Sequence, residues 1–130
     1  MNQIKLIEKS KLSDDQLFAI NQRLKDPVHK YDAGPPEVWN RYQNYMFAVV
    51  RKDDDAIIGL VEASGRPVAC PGWWIDSEYR NQGYGYQVMD TLAEYLVRDG
   101  VKKIGPIPMQ GNSQEHSKKL VKRLRESFLR

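Results

Sequence analysis

Residues 71–92 read PGWWIDSEYRNQGYGYQVMDTL, and two glycines one residue apart, Gly83 and Gly85, stand where an apolar run ending at Ile75 gives way to a helical pattern near Tyr86. The first turn of a helix leaves backbone N–H groups without intrahelical partners, at the positive end of the helix dipole. An anion placed there accepts several hydrogen bonds at once. Glycines remove side chains that would obstruct its approach and permit positive φ. Arg80 adds charge beside the turn. These are the parts of a phosphate or pyrophosphate cradle. The same residues also suit a glycine-rich turn that only reverses the chain. Two other phosphate-binding patterns do not fit. The Gly-Lys-Ser/Thr ending of a P-loop is absent, and a dinucleotide fingerprint needs a third glycine and an earlier strand.

Other reactive residue types are sparse. His29 and His116 lie far apart in the sequence, with no Cys or carboxylate at ligand spacing, so no metal site is expected. Cys70 is the single cysteine and has no partner for an internal disulfide. It reads as a small buried residue. The basic residues are concentrated at one end. Residues 1–100 hold 12 Lys/Arg against 15 Asp/Glu, whereas residues 101–130 hold 8 against 2. Lys118, Lys119, Lys122, Arg123 and Arg125 lie on one predicted helix. They read either as a solvated face or as a surface for an acidic partner, nucleic acid included.

The elements that must position the glycine loop follow from periodicity and punctuation. Residues 3–8 (QIKLIE) alternate as a first strand. Ser13 with Gln16 forms a capping-box pattern, and Leu17, Ile20 and Leu24 continue it at helical spacing until Asp26-Pro27. Pro35-Pro36-Glu37 opens a short second helix with Val38, Trp39 and Tyr42. Residues 45–51 (YMFAVVR) and 56–63 (AIIGLVEA) make a hairpin about Asp53-Asp54-Asp55. A fourth strand spans residues 68–75, where Pro71-Gly72 predicts a bulge or bend. Val88, Met89, Leu92, Ala93, Tyr95 and Leu96 form one face of a helix over residues 86–98, closed by Gly100. A fifth strand follows at 101–107, with Pro106 and Pro108 as awkward members, then a last helix over 113–128. The order β-α-α-β-β-β-α-β-α is that of a mixed α/β (α+β) fold with a central mixed sheet. The crossover helix between the last two strands implies that they pair in parallel.

The bulk composition agrees with one globular domain over residues 1–130. The chain is 41% hydrophobic and 28% charged, with a formal charge of +3. No segment approaches the roughly 18 apolar residues that mark a membrane span, and the start lacks a signal-peptide pattern. These features point to a soluble, cytoplasmic protein without a membrane partner.

The stretch IDSEYRNQGYGYQVMDTLAEYLVRDGVKKI resembles the central motif of the GNAT N-acetyltransferase superfamily. That motif runs from an apolar strand through a polar turn and Arg/Gln-x-x-Gly-x-Gly/Ala into an amphipathic helix, then a glycine and another strand. Arg80, Gly83 and Gly85 occupy its marked positions. The likeness is tight over residues 73–104, and the upstream element order extends it to nearly the whole chain.

The resemblance implies an N-acetyltransferase that moves an acetyl group from acetyl-CoA to an amine by direct attack on the thioester. It implies that backbone amides from Gln82 through Gly83, Tyr84 and Gly85 to Tyr86 hold the pyrophosphate beside Arg80. Ile75 and Ser77 would contact the pantetheine arm in a gap beside the fourth strand. The Trp74 or Ile75 backbone N–H would polarise the carbonyl, Trp74 being the candidate adopted. Glu62 is the best-placed carboxylate for a base, and Asn112 matches an Asn that many members carry after the fifth strand. Tyr31, Asp32 and Trp39 fall in the region that shapes the acceptor site; the acceptor itself is not readable.

Departures from the pattern matter as much. The last-helix position where many members carry a catalytic Tyr is Val121, so Tyr31, Tyr45 or a water would have to protonate the leaving thiolate. The Leu-Gly-Phe and the two strands that normally follow are absent, so the fold is expected with a truncated C-terminal end. Its open sheet edge suggests completion by a partner chain, as in a homodimer. The rival function is a catalytically impaired module of the same shape, serving as a structural or interaction protein.

Overall fold

The computed structural model describes residues 2–29, 44–105 and 114–128. Strand β1 (Ile4–Glu8) leads through a short 3-10 turn to helix α1 (Asp14–Leu24). Ser13 caps α1: its side chain accepts from the Gln16 amide at 3.1 Å, and Gln16 Oε1 accepts from the Ser13 amide at 2.8 Å. The capping box is thus reciprocal, as the spacing predicts. The expected second helix at residues 35–42 lies outside the described residues, as do Tyr31, Asp32 and Trp39.

Strands β2 (Tyr45–Arg51), β3 (Ile57–Ser64) and β4 (Val68–Ile75) form an antiparallel meander, with β1 on the free side of β2. Helix α2 (Tyr84–Arg98) crosses back to β5 (Lys103–Ile104), which pairs with β4 in parallel, and α3 (Gln114–Phe128) closes the order. The sheet order is β1-β2-β3-β4-β5. The mixed α/β class, the hairpins and the parallel crossover therefore stand as read from the sequence.

Two apolar layers flank the sheet. On one face Leu12, Ile20 and Leu24 from the α1 side pack on Ala48, Val50, Leu60 and Trp74. On the other, Val88, Met89, Leu92 and Leu96 of α2 and Leu120 and Leu124 of α3 pack on Phe47, Val49, Val61, Ala63 and Ala69. Strand alternation explains why β2 is almost continuously apolar: both its faces are covered.

Three expectations need correction. The bulge predicted at Pro71-Gly72 is absent from the β3–β4 ladder, which runs unbroken from Gly59↔Ile75 to Ser64↔Cys70. The register shift lies instead at Val49/Val50 between β2 and β3. The physical reason is edge geometry. The Asp76 amide donates to Ile58 O on β3, so by alternation the amides of Trp74 and Gly72 also face β3, while position 71 faces the other way. A proline there removes no bond from the β3 ladder. Second, α2 begins at Tyr84 rather than near Tyr86, because Gly83 takes the left-handed φ of 82° and serves as its N-cap. Third, among the described residues of the expected strand at 101–107, Lys103 and Ile104 form the β5 ladder while Val101 and Lys102 do not; Pro106, Ile107 and Pro108 lie outside the described residues.

Candidate active site

The loop between β4 and α2 is held by its own short contacts. Asp76 caps the 3-10 turn Ser77–Tyr79, its carboxylate accepting from the Glu78 amide at 3.1 Å. The Tyr79 amide donates to Asp76 O at 2.8 Å. Arg80 folds back, its Nε donating to Ile75 O at 2.7 Å, and Gln82 Nε2 donates to Glu78 O at 3.2 Å. Asn81 takes a positive φ of 63°. Ser77 therefore opens this turn, and Ile75, packed partly against the α2-side core, supplies the carbonyl that fixes Arg80.

The two glycines do different work. Among the described residues, a β-carbon on Gly83 would meet nothing within 4 Å. One on Gly85 would lie 2.9 Å from Leu120 Cδ2. Gly83 thus supplies the left-handed turn and an open approach to the first amides of α2. Gly85 lets α2 and α3 come close together. The reading that both glycines clear space for an anion is corrected: only Gly83 borders open space. No side chain caps the α2 N-terminus, so its first amides face that approach without a side-chain partner.

Below the loop, Arg51 at the end of β2 braces it. Its guanidinium is held by Asp54 at 2.6 Å, lies 5.1 Å from the Tyr79 ring centre, and donates to the Tyr84 hydroxyl at 3.5 Å. On the α1 side, Arg23 forms a two-armed ion pair with Asp76 and also reaches Asp26 at 2.8 Å. Asp76 is the buried charged residue of the described core. Each Arg has one local partner three residues on, Asp54 or Asp26, but the contacts that make them braces, to Tyr79 and Tyr84 and to Asp76, come from distant elements and have no local sequence signal. Tyr86 turns the other way, against His116 and Arg123 of α3.

The outer edge of β4 runs up to the loop. Among the described residues its pairing with β5 consists of Val68↔Lys103 and Ala69↔Ile104, extended by the Gly105 amide donating to Ala69 O at 2.8 Å. Beyond that point the described residues supply no strand partner, and the alternation along β4 turns the Trp73 and Ile75 amides to this edge. The Trp74 amide faces β3, and its carbonyl crowds Gly59 there. The Trp74 ring is buried in the α1-side cluster.

Glu62 lies on β3 between Met46 and Gly72 across the strands. Its carboxyl reaches over β4: a β-carbon on Gly72 would sit 2.3 Å from Glu62 Oε1. Burial pushes its pKa up to about 7. Among the described residues no hydrogen bond or ion pair holds this carboxylate. Asn112 lies outside the described residues.

Two further candidates are spatially removed. The Tyr45 hydroxyl donates to Asp99 Oδ2 at 2.6 Å, at the C-terminal end of α2 and some 20 Å along that helix from Gly83. Tyr45 therefore does not reach the loop. Val121 is 4% exposed on α3, apolar and buried where a catalytic hydroxyl was sought. The basic end of the chain is partly committed inside the fold: Arg123 forms two bonds to Asp90 at 2.9 and 2.8 Å, and Arg125 donates to Gly105 O at 3.3 Å.

A family model described as the Acetyltransferase (GNAT) family matches residues 15–124, most of the chain. The chain belongs to this family. Its GNAT fold is shared with solved structures of low sequence identity. The structure of AAC(6')-Ib in complex with paromomycin and acetyl-CoA aligns with a TM-score of 0.69 at 13% identity, covering 95% of this chain and 82% of that one. The Vibrio cholerae spermidine N-acetyltransferase in complex with CoA and spermine aligns with a TM-score of 0.68 at 18% identity, covering 94% and 79%. An aminoglycoside acetyltransferase from an uncultured soil metagenomic sample, in complex with sisomicin, aligns with a TM-score of 0.58 at 15% identity, covering 95% and 88%. No curated protein matches the chain. Among the described residues of this GNAT domain, no helix is long and apolar enough to cross a membrane.

Proposed function

We propose that this GNAT protein transfers an acetyl group from acetyl-CoA to a primary amine in a ternary complex. The observation that carries the reading is the mouth of α2: first-turn amides with no side-chain cap, reached past a left-handed Gly83, next to a β4 edge that has no strand partner beyond Ala69 among the described residues. A diphosphate fits such a mouth, because it accepts from several amides at the positive end of the dipole. Arg80 and Gln82 shape the loop rather than reaching out from it. An extended pantetheine amide fits the free edge of β4 by pairing with the Trp73 and Ile75 backbone.

The chemistry follows from the same placement. Acetyl-CoA supplies an activated thioester carbonyl. The amine nitrogen forms the new C–N bond, the C–S bond breaks with CoA leaving as its thiolate, which takes a proton from water, and the amine proton passes to a base. Glu62 is that base in this reading: burial sets its affinity for a proton near neutral pH, where it is half ionised and able to accept. The N–H that polarises the carbonyl is then that of Ile75, which faces the open edge, in place of the Trp74 N–H adopted from the sequence. Asn112 and Ser77 keep the polar roles the family resemblance gives them.

One observation favours a second reading. Val121 offers no proton to a leaving thiolate, which suits a catalytically impaired module of the same fold acting as a structural or interaction protein. Titration calorimetry with acetyl-CoA, followed by transfer assays with spermidine and kanamycin as acceptors, tests both. Binding with turnover supports the enzyme, whereas binding without turnover, or no binding at millimolar acetyl-CoA, removes the enzyme and supports the module.

A further inference from the structure

Glu62 belongs to β3, yet its carboxyl lies over the neighbouring strand, directly above Gly72. Strands lie about 4.8 Å apart, so this reach carries the carboxylate one strand nearer to the outer edge of β4. Only an absent side chain leaves room for it. A β-carbon at position 72 would stand 2.3 Å from Oε1 and 3.3 Å from Cδ of Glu62. Gly72 has no left-handed φ that would require glycine for backbone reasons. Its bareness therefore serves the space above it.

We propose that Gly72 is a positioning residue whose missing side chain seats the Glu62 carboxylate across β4, toward the outer side of that strand. The proposal rests on the reading of Glu62 as the base. Among the described residues, burial rather than a neighbouring charge governs this carboxylate. Its neighbours on the same face are Met46 on β2, Leu60 and Ser64 on β3, and Trp74 and Cys70 on β4; of these only the Cys70 thiol can ionise, and it lies two positions from Gly72 along β4. From α1, Leu17, Ile20 and Leu24 pack on that face, and the charged Arg23 is engaged by Asp76, Asp26 and Glu78. Burial is the cause of the raised proton affinity, so moving the carboxylate off its seat lets it rehydrate and ionise more readily.

Gly72→Ala is the direct test. The added methyl meets the far end of a flexible side chain, not backbone, so the sheet can keep its form while the carboxylate is displaced. Two readouts apply. With glutamate carboxyls labelled with carbon-13, and Glu62 assigned through Glu62→Gln, the wild-type carboxylate is expected to titrate near pH 7, and in Gly72→Ala to fall toward the ordinary 4.5. That readout needs no turnover, so it judges Gly72 even if the transferase reading fails. Where turnover is detected, Gly72→Ala is expected to lower kcat/KM about 100-fold with its acetyl-CoA Kd within about twofold, and to add no loss in a Glu62→Gln background. Glu62→Asp, which draws the carboxylate back while keeping Gly72, is expected to lose activity in the same direction. A Gly72→Ala protein whose Glu62 titrates and turns over as wild type overturns the proposal.

Discussion

Arg23 on α1 and Asp76 at the end of β4, 53 positions apart, meet in a two-armed ion pair beside the start of the glycine loop. Asp76 is 4% exposed, and its carboxylate also accepts from the Glu78 amide. One carboxylate thus fastens the helix on one sheet face to the turn that leads into α2. The hydrogen bond to Asp76, more than any other contact, raises the proton affinity of the guanidinium, and Asp76 benefits from a charge it could not be buried without.

Arg23→Met is expected to destabilise the fold by about 3 kcal/mol, because a buried carboxylate loses its counter-charge. Urea denaturation of Arg23→Met, Asp76→Asn and the double variant checks this. The double variant should be at least about 1 kcal/mol more stable than the sum of the single losses predicts. Simple additivity would show that the two residues act independently.

Gly83 and Gly85 are expected to respond in opposite order. Alanine at Gly83 takes a strained φ of 82°, costing about 1 kcal/mol, and projects its methyl into the approach to the α2 amides. The acetyl-CoA Kd should rise by about tenfold or more, roughly 1.4 kcal/mol of binding. Alanine at Gly85 drives a methyl against Leu120, and overpacking costs about 1–3 kcal/mol. Calorimetry and thermal melts together give the order: affinity falls more at 83, stability more at 85. The reverse order would mean that the open side of Gly83 receives no ligand.

Glu62 links stability to pH. Its folded pKa of about 7 lies above the ordinary 4.5. Between these values the folded state holds a proton that the unfolded state has released, so stability falls as pH rises through that window and levels off above it. Glu62→Gln removes this dependence. The variant should melt higher than wild type at pH 8 and nearly level with it at pH 4.5. Equal differences at both pH values would show that Glu62 titrates as a solvated side chain.

Tyr45→Phe is expected to cost about 1 kcal/mol of stability through the lost bond to Asp99, with transfer kinetics unchanged. Burial first, then the bond to Asp99, raises the pKa of this phenol, so it is poorly suited to giving up a proton near neutral pH. A fall in kcat without a fall in melting temperature would return Tyr45 to the list of acids.

Much of the scaffold was legible because its signals are local. The Ser13–Gln16 cap, the apolar runs of β2 and β3, and the helical face from Val88 to Leu96 each declare themselves within a few residues. So did the glycine loop, since the strand, turn and helix that build it are contiguous. Pro71 misled because a proline in a strand announces a missing donor without saying which edge loses it. Gly85 misled because its neighbour, Leu120, lies on another helix.

The amino-acid pattern by itself determined the class of fold, the family resemblance and the place of the α2 mouth, all of which depend on residues close along the chain. Only the tertiary structure decided how that mouth is surrounded. It joined Arg23 to Asp76, put Arg51 under Tyr84, sent Tyr45 to the far end of α2 and laid Glu62 over Gly72. Each of these depends on strand register and helix packing. Those are set by the sum of many apolar contacts and leave no mark at the individual positions they bring together.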